Sequence, residues 1–124
     1  MKPARPSSAV ILVREVERNI EVFMGQRHEN ATFASAYVFP GGVVSKDDSS
    51  IYPHCRGLKE DDANQILSVG SGGLDYYSAA IRELFEETGV LLAVTSNNQW
   101  IGDNINPYPL LEKTRVNLRI GKLP

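Results

Sequence analysis

The chain has 124 residues, which is enough for one compact domain and too few for two ordinary ones. Hydrophobic residues make up 42% of it and charged residues 23%, as in a folded protein rather than a disordered one. Thirteen basic and fifteen acidic side chains give a formal charge of −2, which disfavours a protein that binds nucleic-acid phosphates. No apolar run approaches the roughly 20 residues that span a bilayer, and the single cysteine excludes an internal disulfide.

The N-terminal part predicts a flexible terminus followed by a β-hairpin. Residues 1–8 lack the apolar core of a secretory signal, so we interpret them as a flexible N terminus. Residues 9–13 are rich in β-branched side chains and predict a buried strand. The charged residues 14–18 predict a turn, and the alternation of Ile20, Val22 and Met24 predicts a second strand paired with the first.

Residues 27–73 predict mostly irregular structure. Residues 27–36 are small and polar and predict a loop, whereas Tyr37-Val38-Phe39 predicts a short strand that ends at Pro40. The glycines that follow, Gly41 and Gly42, predict a tight turn. Residues 47–73 have the composition of an insertion, in which only residues 63–69 suggest a short helix or strand. We therefore expect one domain over residues 9–124 with an insertion at about 47–73.

The sequence after Asp75 predicts an α-helix. Asp75 is the expected N-cap, residues 76–88 contain neither Pro nor Gly, and Gly89 stands where a left-handed C-cap is needed. Residues 90–94 then predict a strand, residues 97–109 a loop, and residues 110–120 either a helix or a strand. The side of the helix expected to face the core has helical spacing and consists of Tyr77, Ala80, Ile81, Leu84, Phe85 and Thr88.

Three glutamates of this helix are the strongest signal for chemistry in the chain. Glu83, Glu86 and Glu87 have i, i+3, i+4 spacing, so one side of the helix presents three carboxylates. A hard divalent ion, Mg²⁺ or Mn²⁺, relieves their mutual repulsion because it binds carboxylate oxygens and retains waters for phosphates. Arg82 lies four residues before Glu86 and is expected to hold a carboxylate through a forked hydrogen bond. The alternative is an exposed acidic helix face without a ligand.

The sequence from Arg82 to Val90, Arg-Glu-Leu-Phe-Glu-Glu-Thr-Gly-Val, resembles the distal half of the Nudix box. It matches every specified position of the pattern Arg-Glu-U-x-Glu-Glu-x-Gly-U, in which U is aliphatic. Phe39-Pro40-Gly41-Gly42 is similar to the strand and turn that open the same box. The resemblance covers about residues 9–94. It implies an α/β fold, an α/β/α sandwich with a mixed sheet and a loop–helix–loop metal site. It also implies metal-dependent hydrolysis of a diphosphate linked to another group.

The resemblance assigns roles to residues of the helix and of the glycine turn. It implies that Glu83, Glu86 and Glu87 bind Mg²⁺ or Mn²⁺, that Arg82 orients a glutamate, and that Glu83 acts as general base. It further implies that the turn at the glycines brings the backbone close to metal and phosphates. The substrate-binding residues expected on this basis are Gly41, Gly42 and Arg27.

The sequence departs from the family pattern in two ways, one of which suggests a class of substrate. Between Gly42 and Arg82 lie 39 residues, against 13 in the pattern, and Leu74 stands where the pattern has a glutamate eight residues before the arginine. An insertion inside the box resembles the branch of Nudix enzymes that includes coenzyme A and acyl-CoA diphosphatases. The resemblance thus implies coenzyme A or acyl-CoA as candidate substrates.

The length after the helix leaves a second function open. Only 35 residues follow Gly89, whereas the family places its remaining strands and a closing helix there. The alternative is a truncated or catalytically inactive Nudix-like protein with a binding role only. A nucleic-acid-binding module is disfavoured, because Arg115, Arg119 and Lys122 are too few for a basic face. We expect a small nucleotide diphosphate as partner, no nucleic acid, no membrane, and an intracellular location, cytoplasmic or organellar.

Overall fold

The structure is a computed structural model and describes residues 2–27 and 36–99. No helix in these ranges is long and apolar enough to cross a membrane. The helical elements are a 3-10 helix, Lys46–His54, and two α-helices, α1 (Glu60–Leu67) and α2 (Gly73–Thr88). The strands are β1 (Ser7–Ala9), β2 (Val13–Val16), β3 (Asn19–Val22), β4 (Gly25–Gln26), β5 (Tyr37–Val38) and β6 (Gly41–Val43).

The described strands form three antiparallel pairs, β1 with β6, β2 with β3, and β4 with β5. The mixed sheet implied by the resemblance is thus represented in residues 2–27 and 36–99 by antiparallel pairing alone. The β1–β6 pair lies against α2, and the 3-10 helix and α1 also pack on α2. Helix α2 is therefore the centre of the described fold, and the β1–β6 pair is the surface against which its side chains are positioned.

The prediction of a buried strand at residues 9–13 is wrong. The run is divided between the end of β1 and the start of β2, and the Ile11 and Val13 residues are 58% and 63% exposed. The predicted pairing with a second strand is confirmed, but the turn is limited to Glu17 and Arg18. Among the described elements β2 and β3 contact only each other, so their apolar side chains gain no burial from a second layer. The branched run thus specified neither a continuous strand nor burial.

The prediction of a flexible N terminus is wrong for Ser7 and Ser8, because both residues lie in β1. The Ser8 hydroxyl donates a hydrogen bond to the carbonyl oxygen of Tyr76 in α2 at 2.6 Å. On the other side, the N–H of Val10 donates to the carbonyl oxygen of Pro40 at 2.8 Å. These contacts join residues that are far apart in the sequence. The local sequence around Ser7 and Ser8 therefore could not predict that they form a strand.

Gly41 and Gly42 form part of strand β6, not the predicted tight turn. The described glycines with positive φ are Gly57, Gly72 and Gly89, so conformational freedom is not what these two positions require. They require space: a Cβ on Gly41 would overlap the backbone of Ser8 in the paired strand. The two glycines are therefore needed because other parts of the chain pack closely against β6 at both positions.

Residues 47–73, which the sequence predicts to be an irregular insertion, contain helical structure. They contain most of the 3-10 helix and all of α1, which includes part of the segment with helical or strand character, residues 63–69. Their polar residues are used as caps. Ser45 and Asp48 form a capping box, in which the Ser45 side chain accepts from the Asp47 N–H at 3.3 Å and Asp48 accepts from the Ser45 N–H at 2.6 Å. Polar residues that are typical of loops thus serve here as helix caps.

Helix α2 begins earlier than predicted, with Gly72 rather than Asp75 as its N-cap. Since Gly72 has no side chain, α1 supplies the acceptors: the Glu60 carboxylate accepts from the N–H of Gly72 at 2.7 Å and from that of Leu74 at 3.2 Å. A Cβ on Gly73 would stand 2.6 Å from α1 backbone atoms. The two helices therefore approach too closely there for any other residue.

The C-terminal end of α2 confirms the prediction. Gly89 is the C-cap with φ 78°, and its N–H donates to the carbonyl oxygen of Phe85 at 2.8 Å. Leu84 and Phe85 of the predicted core side are buried, together with Ala79 of α2 and Ala63 of α1. The other predicted core positions of α2, Tyr77, Ala80, Ile81 and Thr88, are half-buried.

The strand predicted at residues 90–94 is not formed within the described chain, apart from an isolated bridge at Val94. The N–H of Ala93 donates to the carbonyl oxygen of Leu91 at 3.1 Å, a tight turn that an extended strand cannot contain. Asn97 and Asn98 lie in a turn, as predicted. The predictions for residues 28–35, 100–109 and 110–120 lie outside the described residues, as do Arg115, Arg119 and Lys122.

Candidate functional site

The carboxyl group of Glu83 lies directly over the backbone of Gly42. An added Cβ on Gly42 would overlap the Glu83 carboxyl group, so only a glycine permits the carboxylate to occupy this position. Glu83 is half-buried, with 17% of its side chain exposed. The two residues predicted as metal-binding and substrate-binding are thus brought into contact.

Glu87, one helical turn further along α2, reaches the neighbouring glycine of β6. Its Oε2 accepts a hydrogen bond from the Gly41 N–H at 3.2 Å. Desolvation of the carboxyl group raises the pKa of Glu87, and the negative charges of Glu83 and Glu86 raise it further. The Gly41 N–H and the positive charge of Arg27 act in the opposite direction. The net direction is upward, and the charges of Glu83 and Glu86 contribute to it beside the larger effect of desolvation.

Arg82 contacts two of the predicted glutamates, but its forked hydrogen bond goes to another residue. One terminal nitrogen, NH1, donates to Glu83 Oε1 at 2.7 Å and to Glu86 Oε2 at 3.3 Å. Its Nε and NH2 donate to the two carboxylate oxygens of Asp48 at 2.6 and 3.3 Å, and NH2 also donates to the Val43 carbonyl oxygen at 3.0 Å. The Asp48 hydrogen bond is the largest cause of a raised pKa of Arg82, which stays charged. The expected fork to a glutamate is therefore corrected to Asp48.

Asp48 is the residue of this site that the sequence analysis missed. Its side chain is 1% exposed, so it is a buried carboxylate whose charge is compensated by Arg82 and by the Ser45 N–H. In the Nudix pattern the first glutamate stands eight residues before the arginine and six after the glycine. Counting backward from Arg82 leads to Leu74, whereas counting forward from Gly42 leads to Asp48. The forward count would have found it, and it places the extra residues after Asp48.

The three predicted metal ligands are not assembled as one cluster. Glu83 and Glu87 face β6, whereas Glu86 bonds to Arg82, and the described part of the chain contains no group of three or more His, Cys, Asp and Glu side chains that could hold a metal ion. Magnesium is commonly bound by one or two carboxylates together with substrate phosphates. Two hard oxygen donors beside the glycine backbone therefore fit Mg²⁺ or Mn²⁺ that arrives with a phosphate substrate.

Arg27, predicted to bind substrate, follows β4 directly, and its N–H donates to the Ala36 carbonyl oxygen at 3.0 Å. Its positive charge acts to lower the pKa of Glu87, so Arg27 lies within electrostatic range of that carboxylate. A cation beside an acidic metal face provides charge complementarity for a phosphate group.

Comparisons with known proteins found one similar sequence and one similar structure. No model of a known protein family matches the sequence. "Putative nudix hydrolase 7" of Caenorhabditis elegans is 33% identical over 104 residues, which are 83% of this chain and 26% of that protein. The crystal structure of a NUDIX hydrolase from Alicyclobacillus acidocaldarius matches with a TM-score of 0.64 and 22% identity, over 98% of this chain and 51% of that one. The chain thus spans about a quarter of the curated relative and about half of the solved structure.

The solved structure confirms the predicted fold, and the curated relative shares sequence over most of this chain. The match of residues 82–90 to the box and the contact of the helix glutamates with β6 are consistent with both. The chain therefore has the Nudix hydrolase fold, and over most of its length it is similar in sequence to a protein named as a putative nudix hydrolase.

Proposed function

We propose that this protein is a metal-dependent hydrolase that cleaves the diphosphate bond of a nucleoside diphosphate linked to a further group. The observation that carries the proposal is that two helix carboxylates, Glu83 and Glu87, meet the backbone of Gly41 and Gly42. This arrangement combines negative charge for a cation with accessible main-chain groups for phosphate oxygens. Both are required where a metal-bound diphosphate is to be held.

We assign separate roles in metal binding, proton transfer and positioning to the side chains of α2. Glu83 and Glu87 are the principal ligands for Mg²⁺ or Mn²⁺, and Glu86 is a further ligand once it leaves Arg82. When bound, such an ion neutralises the diphosphate and lowers the pKa of a coordinated water. Glu83 is the candidate general base that accepts the proton of the attacking water. Arg82 holds Glu83 in place through the 2.7 Å hydrogen bond from NH1.

The remaining groups position the substrate. Positioning and electrostatic stabilisation supply most of the rate enhancement in phosphoryl transfer, because negative charge spreads over the phosphoryl oxygens. The Gly41 N–H donates to Glu87 in this structure, and it would be available to a phosphate oxygen if Glu87 held a cation instead. Arg27 supplies a positive charge on the same side. These two donors would orient the diphosphate across β6.

For the substrate we propose coenzyme A or acyl-CoA. The support is the resemblance of an insertion inside the box, together with Arg27 upstream of Phe39-Pro40-Gly41-Gly42, to the coenzyme A branch of the family. The segment predicted as an insertion contains most of the 3-10 helix and all of α1, and both elements pack against α2. An ordered insertion beside the site is compatible with a role in recognising a large leaving group.

The test is magnesium-dependent turnover of a small panel: coenzyme A, an acyl-CoA, NADH, ADP-ribose and dinucleoside polyphosphates. We expect one class to be split at its diphosphate in the presence of Mg²⁺ or Mn²⁺, and EDTA to abolish the reaction. Glu87→Gln should be inactive, and Asp62→Asn, on the exposed side of α1, should keep wild-type activity. Absence of turnover across the panel with both metals, in folded wild-type protein, would contradict the proposal.

The second candidate is a Nudix-like protein that binds nucleotides without hydrolysing them. It is favoured by the engagement of Glu86 with Arg82, which leaves two carboxylates facing β6. Binding of the same nucleotides in calorimetry, without release of products over hours, would select this function over the first.

A further inference from the structure

The 3-10 helix is bonded to α2 at two separate points. Near its N-terminal end Asp48 accepts two hydrogen bonds from Arg82, and near its C-terminal end the Tyr52 hydroxyl donates a hydrogen bond to Asp75. Asp48 and Tyr52 are four residues apart, about 8 Å in a 3-10 helix. Asp75 and Arg82 are seven residues apart, about 10.5 Å along an α-helix. The 3-10 helix therefore lies antiparallel to α2 and is fixed to it about two turns apart.

The 3-10 helix is unusually long, so it depends on its hydrogen bonds to α2 for stability. The 3-10 helix has nine residues, whereas runs beyond three or four are uncommon because their hydrogen-bond geometry is poor. Burial and the neighbouring carboxylate of Asp75 raise the pKa of Tyr52, so its hydroxyl keeps its proton and remains a donor. Tertiary contacts thus keep a marginal helix in a fixed place.

We propose that Tyr52 is a positioning residue for the metal-binding face of α2, acting through Asp48 and Arg82. The hydrogen bond to Asp75 fixes the far end of the 3-10 helix, which fixes the direction of the Asp48 carboxylate. Asp48 in turn orients the guanidinium of Arg82, whose NH1 holds Glu83 beside Gly42. This role rests on the proposed function, because it concerns the geometry of the same carboxylates.

Two variants separate positioning from stability. Tyr52→Phe keeps the ring and removes only the hydroxyl, whereas Asp75→Asn keeps an acceptor oxygen for it and serves as the conservative variant. Tyr37→Phe is the matched control, because Tyr37 is 68% exposed. The measurements are the solvent exchange and chemical shift of the Arg82 Nε–H by NMR, and Mn²⁺ affinity by electron paramagnetic resonance, both well below the unfolding temperature.

We expect Tyr52→Phe to accelerate exchange of the Arg82 Nε–H and to raise the Mn²⁺ dissociation constant, each about threefold to tenfold. Asp75→Asn should change both by no more than about twofold, and Tyr37→Phe should change neither. A Tyr52→Phe protein with a lower melting temperature but unchanged exchange and Mn²⁺ affinity would overturn the proposal. If wild-type protein binds no Mn²⁺, the proposed function fails. The Arg82 Nε–H then decides alone: changed exchange supports the positioning role and unchanged exchange overturns it.

Discussion

The Cα atom of Gly42 and the carboxyl group of Glu83 are packed so closely that no side chain can stand between them. The contact joins β6 to α2 at the point where the predicted chemistry is expected. A methyl group at position 42 would meet the flexible end of a glutamate, whereas one at position 41 would meet the backbone of Ser8. The two adjacent glycines therefore have separable roles, one in the site and one in strand pairing.

We predict that Gly42→Ala displaces the Glu83 carboxylate and leaves most of the fold intact. Mn²⁺ affinity should fall at least about tenfold, since a ligand is moved from its place. Gly41→Ala should instead destabilise the protein, because backbone atoms cannot give way, and thermal unfolding measures this. Gly70→Ala is the control, since a Cβ there meets nothing within 4 Å and φ is not positive. Equal Mn²⁺ affinity of Gly42→Ala and wild-type protein would contradict the prediction.

Asp48→Asn tests the buried ion pair. The change removes the buried charge opposite Arg82, which has 16% of its side chain exposed and keeps Glu83 and Glu86 as charged partners. Breaking such a pair on one side should lower the free energy of unfolding by about 3 kcal/mol, measured by urea denaturation. The neighbouring Asp47→Asn, in an exposed residue, should stay within about 0.5 kcal/mol of wild type. Similar losses in both variants would show that Arg82 does not depend on Asp48.

The C-terminal part of helix α2 and the placement of its glutamates could be predicted from the sequence because the information is local. The spacing of three glutamates and the glycine after Thr88 depends only on helical periodicity and on the left-handed C-cap. The start of the helix could not be predicted, because its acceptors come from Glu60 and Asn64 of α1. A cap supplied by another helix has no signature at the capped residue itself.

The contacts among the candidate site residues could not be predicted from the sequence. The turn expected at Gly41 and Gly42 is a strand. Glycine is required at these positions because Ser8 and Glu83 pack closely against them, and this packing exists only in the folded chain. The buried role of Asp48 was hidden in a segment whose composition indicates a loop. A polar segment predicts exposure on average, and a single buried ion pair is invisible to composition.

Tyr52 should make stability depend on pH in the alkaline range. The fold raises its pKa above the ordinary value of 10.0, so folding favours the neutral phenol. This contribution to the free energy of unfolding is fully present below about pH 10 and is lost as the pH rises further, since the unfolded chain ionises first. Tyr52→Phe should therefore lower stability at pH 8 and show a flatter dependence from about pH 9 to 11. The same steepness in wild-type and Tyr52→Phe proteins would contradict this.

The hairpin turn offers a test away from the site. Glu17 and Arg18 have φ angles of 47° and 68°, in the left-handed region that disfavours residues with a Cβ. The double substitution Glu17→Asn with Arg18→Gly suits this two-residue turn and should raise the free energy of unfolding by about 1 kcal/mol. Arg18→Ala keeps the penalty and should bring no gain. Urea denaturation measures both, and equal stability of the two variants would argue against strain at the turn.

The central claim, that the carboxylates beside Gly41 and Gly42 bind a divalent cation, is tested most directly by Mn²⁺ binding to wild-type protein and to Glu87→Gln. Electron paramagnetic resonance counts the free ion, and circular dichroism follows the fold of the same samples. We predict that wild-type protein binds Mn²⁺ and that Glu87→Gln loses at least about tenfold in affinity. Its metal-free fold should be no less stable, because a charge has been removed from a repelling cluster. Wild-type protein that leaves all Mn²⁺ free, or a Glu87→Gln protein with undiminished affinity, would contradict the claim.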